Sequence, residues 1–243
     1  MVLVLLHGFT HTGASWEPLG APLAGRYRVI APDIRGHGAA ADAQPVTLDE
    51  VLADVSELAE GEPFVLAGYS MGGRIALHAA LALGPDRVRR LVLIGASPGL
   101  ADESERAARR ADDDALAGRL ERMTIDEFAA EWSRNPVLAG QPTSVRDAVD
   151  ADRRRNTPAG LARALRGLGT GVLPPVWDRL GELTMPVTLI VGDRDAKFGA
   201  IAERMAPRFG GRCELEVVAG TGHAVHLEAP DATAAILRKA AQR

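Results

Sequence analysis

The chain has 243 residues, of which 47% are hydrophobic and 25% are charged, which is enough to bury the core of one globular domain. Its formal net charge of -4 disfavours general binding to nucleic acids, which requires basic faces. The single cysteine, Cys213, excludes a disulfide within the chain and a metal site built from clustered cysteines. We expect no cofactor and no metal ion.

The amino terminus, MVLVLLHGFT, is apolar, but this run ends after a few residues and carries no positively charged leader. No segment approaches the roughly 20 apolar residues that a membrane-spanning helix needs. We therefore expect a cytoplasmic protein that binds neither membranes nor nucleic acids. The sequence leaves open whether it is a monomer or a homo-oligomer.

Short apolar runs alternate with helical patterns along most of the chain. The predicted strands cover Val2–Leu6, Arg28–Ala31, Phe64–Ala67, Arg90–Ile94, Val187–Val191 and Cys213–Val218. The predicted helices cover Trp16–Ala24, a segment from the N-cap Thr47 to Ala59, Ile75–Leu83 and Ala229–Ala241. This alternation predicts an α/β fold with a mostly parallel, doubly wound sheet.

The pattern changes between residues 101 and 171, where strand-like runs disappear and charged helical segments replace them. We predict that 101–171 forms a helical cap over the carboxyl ends of the strands, and that 1–100 and 172–243 together form the core. The cap holds 12 arginines and 13 acidic residues. This near balance favours a surface of solvated ion pairs over a basic patch.

One stretch, FVLAGYSMGGR at 64–74, joins a predicted buried strand to a predicted helix. In it Gly68 and Gly72 flank Ser70 in the pattern G-x-S-x-G, which is typical of a nucleophile elbow. The glycines are needed because side chains at both positions would collide with the elements that adjoin so sharp a turn. Ser70 is therefore the candidate nucleophile or base.

An acid and a histidine follow the serine in the chain, each just after a predicted strand. We predict that Ser70, Asp195 and His223 form a catalytic triad, in which His223 takes the serine proton and the carboxylate orients the imidazole. Asp193 is the alternative acid, although its position is typical of a turn cap. The backbone N–H groups of Phe9 and Met71 are the candidate oxyanion hole.

With these residues, the chain resembles the α/β-hydrolase superfamily over its full length, and within it the lyases of menaquinone biosynthesis that eliminate pyruvate. Six motifs carry the resemblance. They are HGFTHTGASWE (His7–Glu17), GYSMGGR (Gly68–Arg74), SPGL with ERAARR (Ser97–Arg110), LRGLGTG (Leu165–Gly171), GDRDAKF (Gly192–Phe198) and GTGHAVHLE (Gly220–Glu228). The resemblance implies a small tricarboxylate substrate and proton abstraction assisted by the triad, without an acyl-enzyme.

A polyanionic substrate needs fixed cations, and arginine offers a planar fork to carboxylates. Arg74 lies one turn into the predicted elbow helix, close to the serine. By similarity to the family, Arg109 and Arg153 are further carboxylate ligands, and Tyr69 and Trp132 shape the pocket. Arg154 and Arg155 follow Arg153 directly and point in other directions on a helix, so which of the three faces the site stays open. The alternative for a cap arginine is an exposed ion pair.

Typical members of the superfamily carry one or two antiparallel strands before the strand that leads into the oxyanion loop. This chain begins at that strand, so we expect N-terminal edge strands to be truncated. Two other functions stay open: a carboxylesterase or C–C bond hydrolase for a small carboxylate-bearing substrate, and a binding protein without catalysis. The complete serine, acid and histidine set argues against the latter, and Arg74 favours the lyase over the hydrolase.

Overall fold

A computed structural model of the protein describes residues 1–135 and 140–242. Its strands are β1 (Val2–Leu6), β2 (Arg28–Ile30), β3 (Phe64–Tyr69), β4 (Val88–Ile94), β5 (Val187–Gly192) and β6 (Cys213–Val218). They form one six-stranded sheet in the order β2-β1-β3-β4-β5-β6, and every neighbouring pair is parallel. The predicted α/β fold with a mostly parallel sheet is confirmed.

Strands β1, β3 and β5 are mostly apolar because both faces of the sheet are covered. Every residue of β1, β3 and β5 is buried. Alternate residues of β1 pack into different cores: Val2, Val4 and Leu6 into one, Leu3 and Leu5 into the other. This period of two is the strand geometry itself, and helices on both sides supply the partners.

Ten helices accompany the sheet in the described part of the chain. They are α1 (Gly20–Leu23), α2 (Leu48–Glu57), α3 (Met71–Arg87), α4 (Glu103–Leu120), α5 (Ile125–Trp132), α6 (Thr143–Arg153), α7 (Pro158–Leu168), α8 (Ala196–Met205), α9 (Val225–Glu228) and α10 (Pro230–Gln242). Five further segments among residues 1–135 and 140–242 are 3₁₀ turns: Gly13–Leu19, Gly38–Ala40, Leu58–Gly61, Trp177–Glu182 and Ala206–Phe209. None of these helices is long and apolar enough to cross a membrane.

The helix predicted at Trp16–Ala24 is wrong as a continuous element. A 3₁₀ turn over Gly13–Leu19 precedes the single α-turn of α1. Pro18 and Pro22 have no N–H to donate, so an unbroken α-helical ladder cannot run through this segment.

The helix after the serine begins at Met71, earlier than predicted, and its regular conformation breaks where the sequence indicated. Gly84 has a φ of 69°, and Pro85 follows it. The N-cap predicted at Thr47 is present, since its hydroxyl oxygen accepts a hydrogen bond from the N–H of Glu50 at 3.4 Å.

Helices α4 to α7 occupy the segment predicted as a cap, whose bounds at 101 and 171 stay a prediction. Three of these helices, α4, α5 and α7, share a small core of their own, which includes Leu120, Phe128 and Leu161. Phe9, in the loop after β1, packs against this core. The helical segment therefore lies against the carboxyl end of β1, where the loops of a parallel sheet bind ligands.

Several histidines are buried where the folded protein resists protonating them. Burial lowers the pKa of His7 to about 4 and that of His37 to about 3, and it holds the pKa of His226 well below the ordinary 6.5. Below about pH 6.5 the unfolded chain binds protons at these side chains while the folded chain does not. The free energy of unfolding therefore falls as the pH falls below that value.

We predict that His226→Phe makes stability less sensitive to acid. The His226 ring is fully buried, with ring centroids 4.5 Å from Trp16 and 4.4 Å from Tyr69, so phenylalanine preserves the aromatic packing. Urea unfolding at a series of pH values below about 6.5 should give a slope smaller by about 1.4 kcal/mol per pH unit than for the unmodified protein. An unchanged slope would show that the folded protein protonates His226 as readily as the unfolded chain does.

Candidate active site

Ser70 lies where β3 meets α3, in a backbone conformation that few residues other than glycine adopt, with φ 52° and ψ -109°. Its N–H donates to the carbonyl of Ile94 at 2.9 Å. A Cβ at Gly72 would lie 2.3 Å from the carbonyl oxygen of Leu6, and one at Gly68 would lie 2.4 Å from that of Gly72. Only glycines fit this turn, and its strain presents the serine hydroxyl at the carboxyl end of the sheet.

The serine hydroxyl, an imidazole and a carboxylate form a hydrogen-bonded chain. His223 Nε2 lies 3.1 Å from Ser70 Oγ, and His223 Nδ1 lies 2.6 Å from Asp195 Oδ2. Because Nδ1 faces a carboxylate, it carries the proton, and Nε2 is left to accept one from Ser70. The structure places Asp195 in this position, while Asp193 is exposed to solvent.

Contacts around the two loops hold the acid and the histidine in place. The second oxygen of Asp195 accepts the N–H of Phe198 at 3.2 Å and caps α8. The Phe198 ring packs on His223 at 4.3 Å between centroids. Glu228 accepts the N–H of Gly222 at 2.8 Å, which fixes the residue before the histidine.

The loop after β1 passes close to the serine. A Cβ on Gly8 would lie 2.7 Å from the ring of Tyr69 and 3.5 Å from Ser70 Cβ. Phe9 follows in that loop, and Met71 begins α3, where the first N–H groups of a helix have no partner within it. The loop and the helix start therefore adjoin the hydroxyl from two sides, as an oxyanion hole requires.

A cavity of about 610 Å³ opens above the serine, between the sheet and helices α4 to α7. Ser70, His223 and all seven other pocket residues predicted from the sequence line it. Those seven are Phe9, Tyr69, Met71, Arg74, Arg109, Trp132 and Arg153. The loops and helices that carry them are far apart in the chain, and the parallel sheet brings them together.

The cavity also contains charged and polar residues that sequence reasoning missed. They include His11, Asp112, Asp113, Arg119, Asn135 and Lys197. Lys197 lies in the motif GDRDAKF and His11 in HGFTHTGASWE, so both belong to motifs that already indicated the site. A motif does not tell which of its side chains face the cavity, because that depends on the turn each loop makes.

Arg74 is buried at the cavity wall and forms no ion pair with any residue that the structure describes. Its side chain is 8% exposed, and its Nε and Nη1 find no hydrogen-bond acceptor among residues 1–135 and 140–242. Burial, and next the charge of Arg109, lower its pKa to about 10, while Asp113 opposes the shift. The guanidinium stays charged at neutral pH, and a buried unpaired charge is costly unless a ligand compensates it.

The two predicted cap arginines differ in their surroundings. Arg153 is 1% exposed; its Nη1 donates to Asp150 at 3.0 Å, and its Nη2 has no acceptor in the described part of the chain. Burial lowers its pKa, against the effect of Asp150. Arg109 is more exposed and donates through Nε to Asp113 at 2.8 Å. Both guanidinium groups retain N–H donors for an anion in the cavity.

Two aromatic residues complete the wall. Burial, and next the charge of Asp195, raise the pKa of the Tyr69 phenol, so it stays neutral. Trp132 contacts Phe9 at 5.4 Å between ring centroids, which joins α5 to the loop after β1. The residues described hold no cluster of three or more side chains that would ligate a metal ion.

The fold and this site define an enzyme of the α/β-hydrolase type. The chain belongs to the Alpha/beta hydrolase family, whose model matches residues 3–236. It is 35% identical over 247 residues to the 2-succinyl-6-hydroxy-2,4-cyclohexadiene-1-carboxylate synthase of Salmonella typhimurium, covering 97% of this chain and 93% of that protein. It is 34% identical over 238 residues to the enzyme of the same name from Enterobacter sp., covering 97% and 89%.

Two solved structures superpose on nearly the whole chain. The structure of MenH from S. aureus superposes with a TM-score of 0.93 at 30% identity, covering 100% of this chain and 93% of that one. A thermophilic esterase from Thermogutta terrifontis, solved with malate bound, superposes with a TM-score of 0.83 at 26% identity, covering 98% and 88%. The resemblance predicted from the motifs is confirmed.

We predict that Gly72→Ala disrupts the serine turn and that Gly118→Ala does not. The added methyl at 72 meets the backbone oxygens of Leu6 and His7 at 2.3 and 2.5 Å, and backbone atoms of β1 cannot move aside cheaply. Gly118, in α4, has open space around its Cβ position, so alanine should stabilise by about 0.5 to 1 kcal/mol. Thermal unfolding of both variants checks this, and an unchanged Tm for Gly72→Ala would contradict the close approach.

Proposed function

We propose that the chain is a lyase of menaquinone biosynthesis. It converts 2-succinyl-5-enolpyruvyl-6-hydroxy-3-cyclohexene-1-carboxylate into 2-succinyl-6-hydroxy-2,4-cyclohexadiene-1-carboxylate and pyruvate. The observation that carries this function is Arg74, a buried guanidinium with unpartnered donors in the same cavity as Ser70. The names of the relatives support the reaction, since two of them that match nearly the whole chain are synthases of this product.

The charge of the cavity suits a substrate with three carboxylates. Five basic side chains of the described residues line it, against the carboxylates of Asp112 and Asp113. This excess contrasts with the near balance of charge over 101–171 and is therefore local to the cavity. A simple apolar ester would leave the Arg74 and Arg153 donors unpaired, whereas carboxylates satisfy them.

The chemistry follows from the two structures of the ring. The product has a second ring double bond, so the proton that leaves comes from the ring carbon next to the succinyl ketone. Ser70 Oγ takes this proton while its own passes to His223 Nε2, which lies 3.1 Å away. The charge that develops on the ketone oxygen is stabilised by the N–H groups of Phe9 and Met71.

The electron pair of the broken C–H bond then moves into the ring. It forms the new double bond, shifts the existing one and breaks the bond between the ring and the enolpyruvyl oxygen. Pyruvate leaves as its enolate and takes up a proton, which balances the one removed from the ring. Asp195 stabilises the imidazolium that exists between these steps, through the contact of 2.6 Å to His223 Nδ1.

We predict that the purified protein releases pyruvate from the enolpyruvyl substrate and that Ser70→Ala loses this activity. A coupled assay for pyruvate should show a loss of at least about a thousandfold in kcat, because the group that takes the ring proton is gone. Arg74 and the cavity are unchanged in this variant, so calorimetry should still detect product binding. Absence of pyruvate release from the unmodified protein, with ready cleavage of p-nitrophenyl esters, would instead identify a carboxylesterase.

We predict that Arg74→Met lowers activity without lowering stability. Losing a charge-assisted carboxylate contact should lower kcat/KM, and the loss should correspond to about 2 to 4 kcal/mol of transition-state stabilisation. The free energy of unfolding should stay level or rise, because methionine removes a buried charge that has no partner among the described residues. Steady-state kinetics and urea unfolding together check this.

Arg166→Met is the matched control for that variant. This arginine is paired with Asp114 and Glu121 outside the cavity, so its loss should leave kcat/KM unchanged. A fall in stability for Arg74→Met with no change in kcat/KM would mean that Arg74 is structural.

A further inference from the structure

The last turn of α6 and the residues just after it contact the loop after β1. The contacts fall on three consecutive residues of that loop, 10–12. Asp152 accepts the N–H of Thr12 at 3.0 Å through Oδ2 and the Thr12 hydroxyl through Oδ1, and it lies 3.3 Å from His11 Nδ1. Asn156 Nδ2 donates to the carbonyl of Thr10 at 2.9 Å. These residues are about 140 positions apart in sequence, so the contacts join two distant segments.

The loop needs such contacts because its own conformation is unfavourable. Thr10 has a φ of 69°, which a β-branched residue rarely adopts. It is 1% exposed, so no water replaces the partners that the protein supplies. Thr10 directly follows Phe9, and its conformation therefore sets the direction of the adjoining peptide units.

The same turn carries a cavity cation. Arg153 lies between Asp152 and Asn156 in the sequence. It lines the cavity, and its Nε lies 3.5 Å from the hydroxyl of Thr10. Asn156 Nδ2 also donates to the Arg153 carbonyl at 3.1 Å, and its Oδ1 accepts the N–H of Gly38 at 3.0 Å. The buried side-chain amide of Asn156 thus forms hydrogen bonds both to the backbone of Arg153 and to the loop after β1.

We propose that Asp152 and Asn156 are positioning residues for the proposed reaction. They hold the loop so that the Phe9 N–H points towards the serine, and they fix that donor relative to the Arg153 guanidinium. The distance between a substrate carboxylate bound to Arg153 and the oxyanion that develops at the Phe9 N–H is then fixed. This inference rests on the roles proposed above for Arg153 and Phe9.

Asn156→Asp tests the tether with almost no change in shape. It replaces the N–H donors with an oxygen that faces the carbonyls of Thr10 and Arg153, and it keeps an acceptor for Gly38. We expect kcat for pyruvate release to fall about tenfold to a hundredfold, with KM within about threefold, because the misplaced donor acts in the transition state. Arg153→Met should instead act mainly through KM.

Hydrogen exchange gives a second readout that does not depend on turnover. The amides of His11 and Thr12 should exchange faster in Asn156→Asp than in the unmodified protein. If that variant does not fold, Asp152→Asn replaces it, since it keeps the size and removes the charge that faces His11. The control is Arg154→Ala: Arg154 lies on the same turn but pairs with Asp126 and Asp150, so kcat should not change.

A kcat within about twofold of the unmodified protein, or a loss confined to KM, would overturn the positioning role. So would unchanged exchange at His11 and Thr12. An unmodified protein that releases no pyruvate would overturn the proposed function instead. The exchange comparison would then still decide whether the turn holds the loop.

Discussion

The site depends on the close approach of the serine turn to the end of β1. Gly72 lies so near the carbonyls of Leu6 and His7 that no side chain fits between them. This contact sets the serine beside the loop that carries Phe9. Without it, the hydroxyl and the Phe9 N–H would lie on separate elements with no fixed distance, and preorganised donors account for much of the stabilisation of a developing charge.

The structure retains a charge that a stable core would exclude. Arg74 is desolvated, and two of its nitrogens lack partners among the described residues, and a buried guanidinium with unpaired donors is electrostatically unfavourable. An anion that enters the cavity removes this cost. In the proposed reaction, binding is favoured most where the carboxylates meet the arginines, and the neutral part of the ring then lies near the serine.

Helices α4 to α7 do more than close the cavity. They supply Arg109, Trp132 and Arg153 to its wall, and through Asp152 and Asn156 they also contact the loop that the chemistry requires. Under the proposed roles of Arg153 and Phe9, substrate binding and catalysis are coupled through buried hydrogen bonds rather than through exposed ion pairs. Exposed pairs such as Arg154 with Asp126 contribute little by comparison.

The sequence by itself determined the elements that local chemistry controls. Runs such as Val2–Leu6 have no polar residue and are typical of strands buried on both faces, and the glycines around Ser70 allow a sharp turn. The order of serine, acid and histidine, together with the motifs, was enough to predict the family. The break in the helix near Trp16 was not predicted, because the apolar pattern of this segment was given more weight than its prolines.

Only the tertiary structure decided which side chains meet. It placed Asp195 rather than Asp193 against His223, and Arg153 rather than Arg154 at the cavity. Neighbouring residues on a loop or helix share their sequence context but point in different directions, so contacts with distant elements select among them. The tether of Asp152 and Asn156 to the loop after β1 joins residues about 140 positions apart, and no local pattern encodes such a contact.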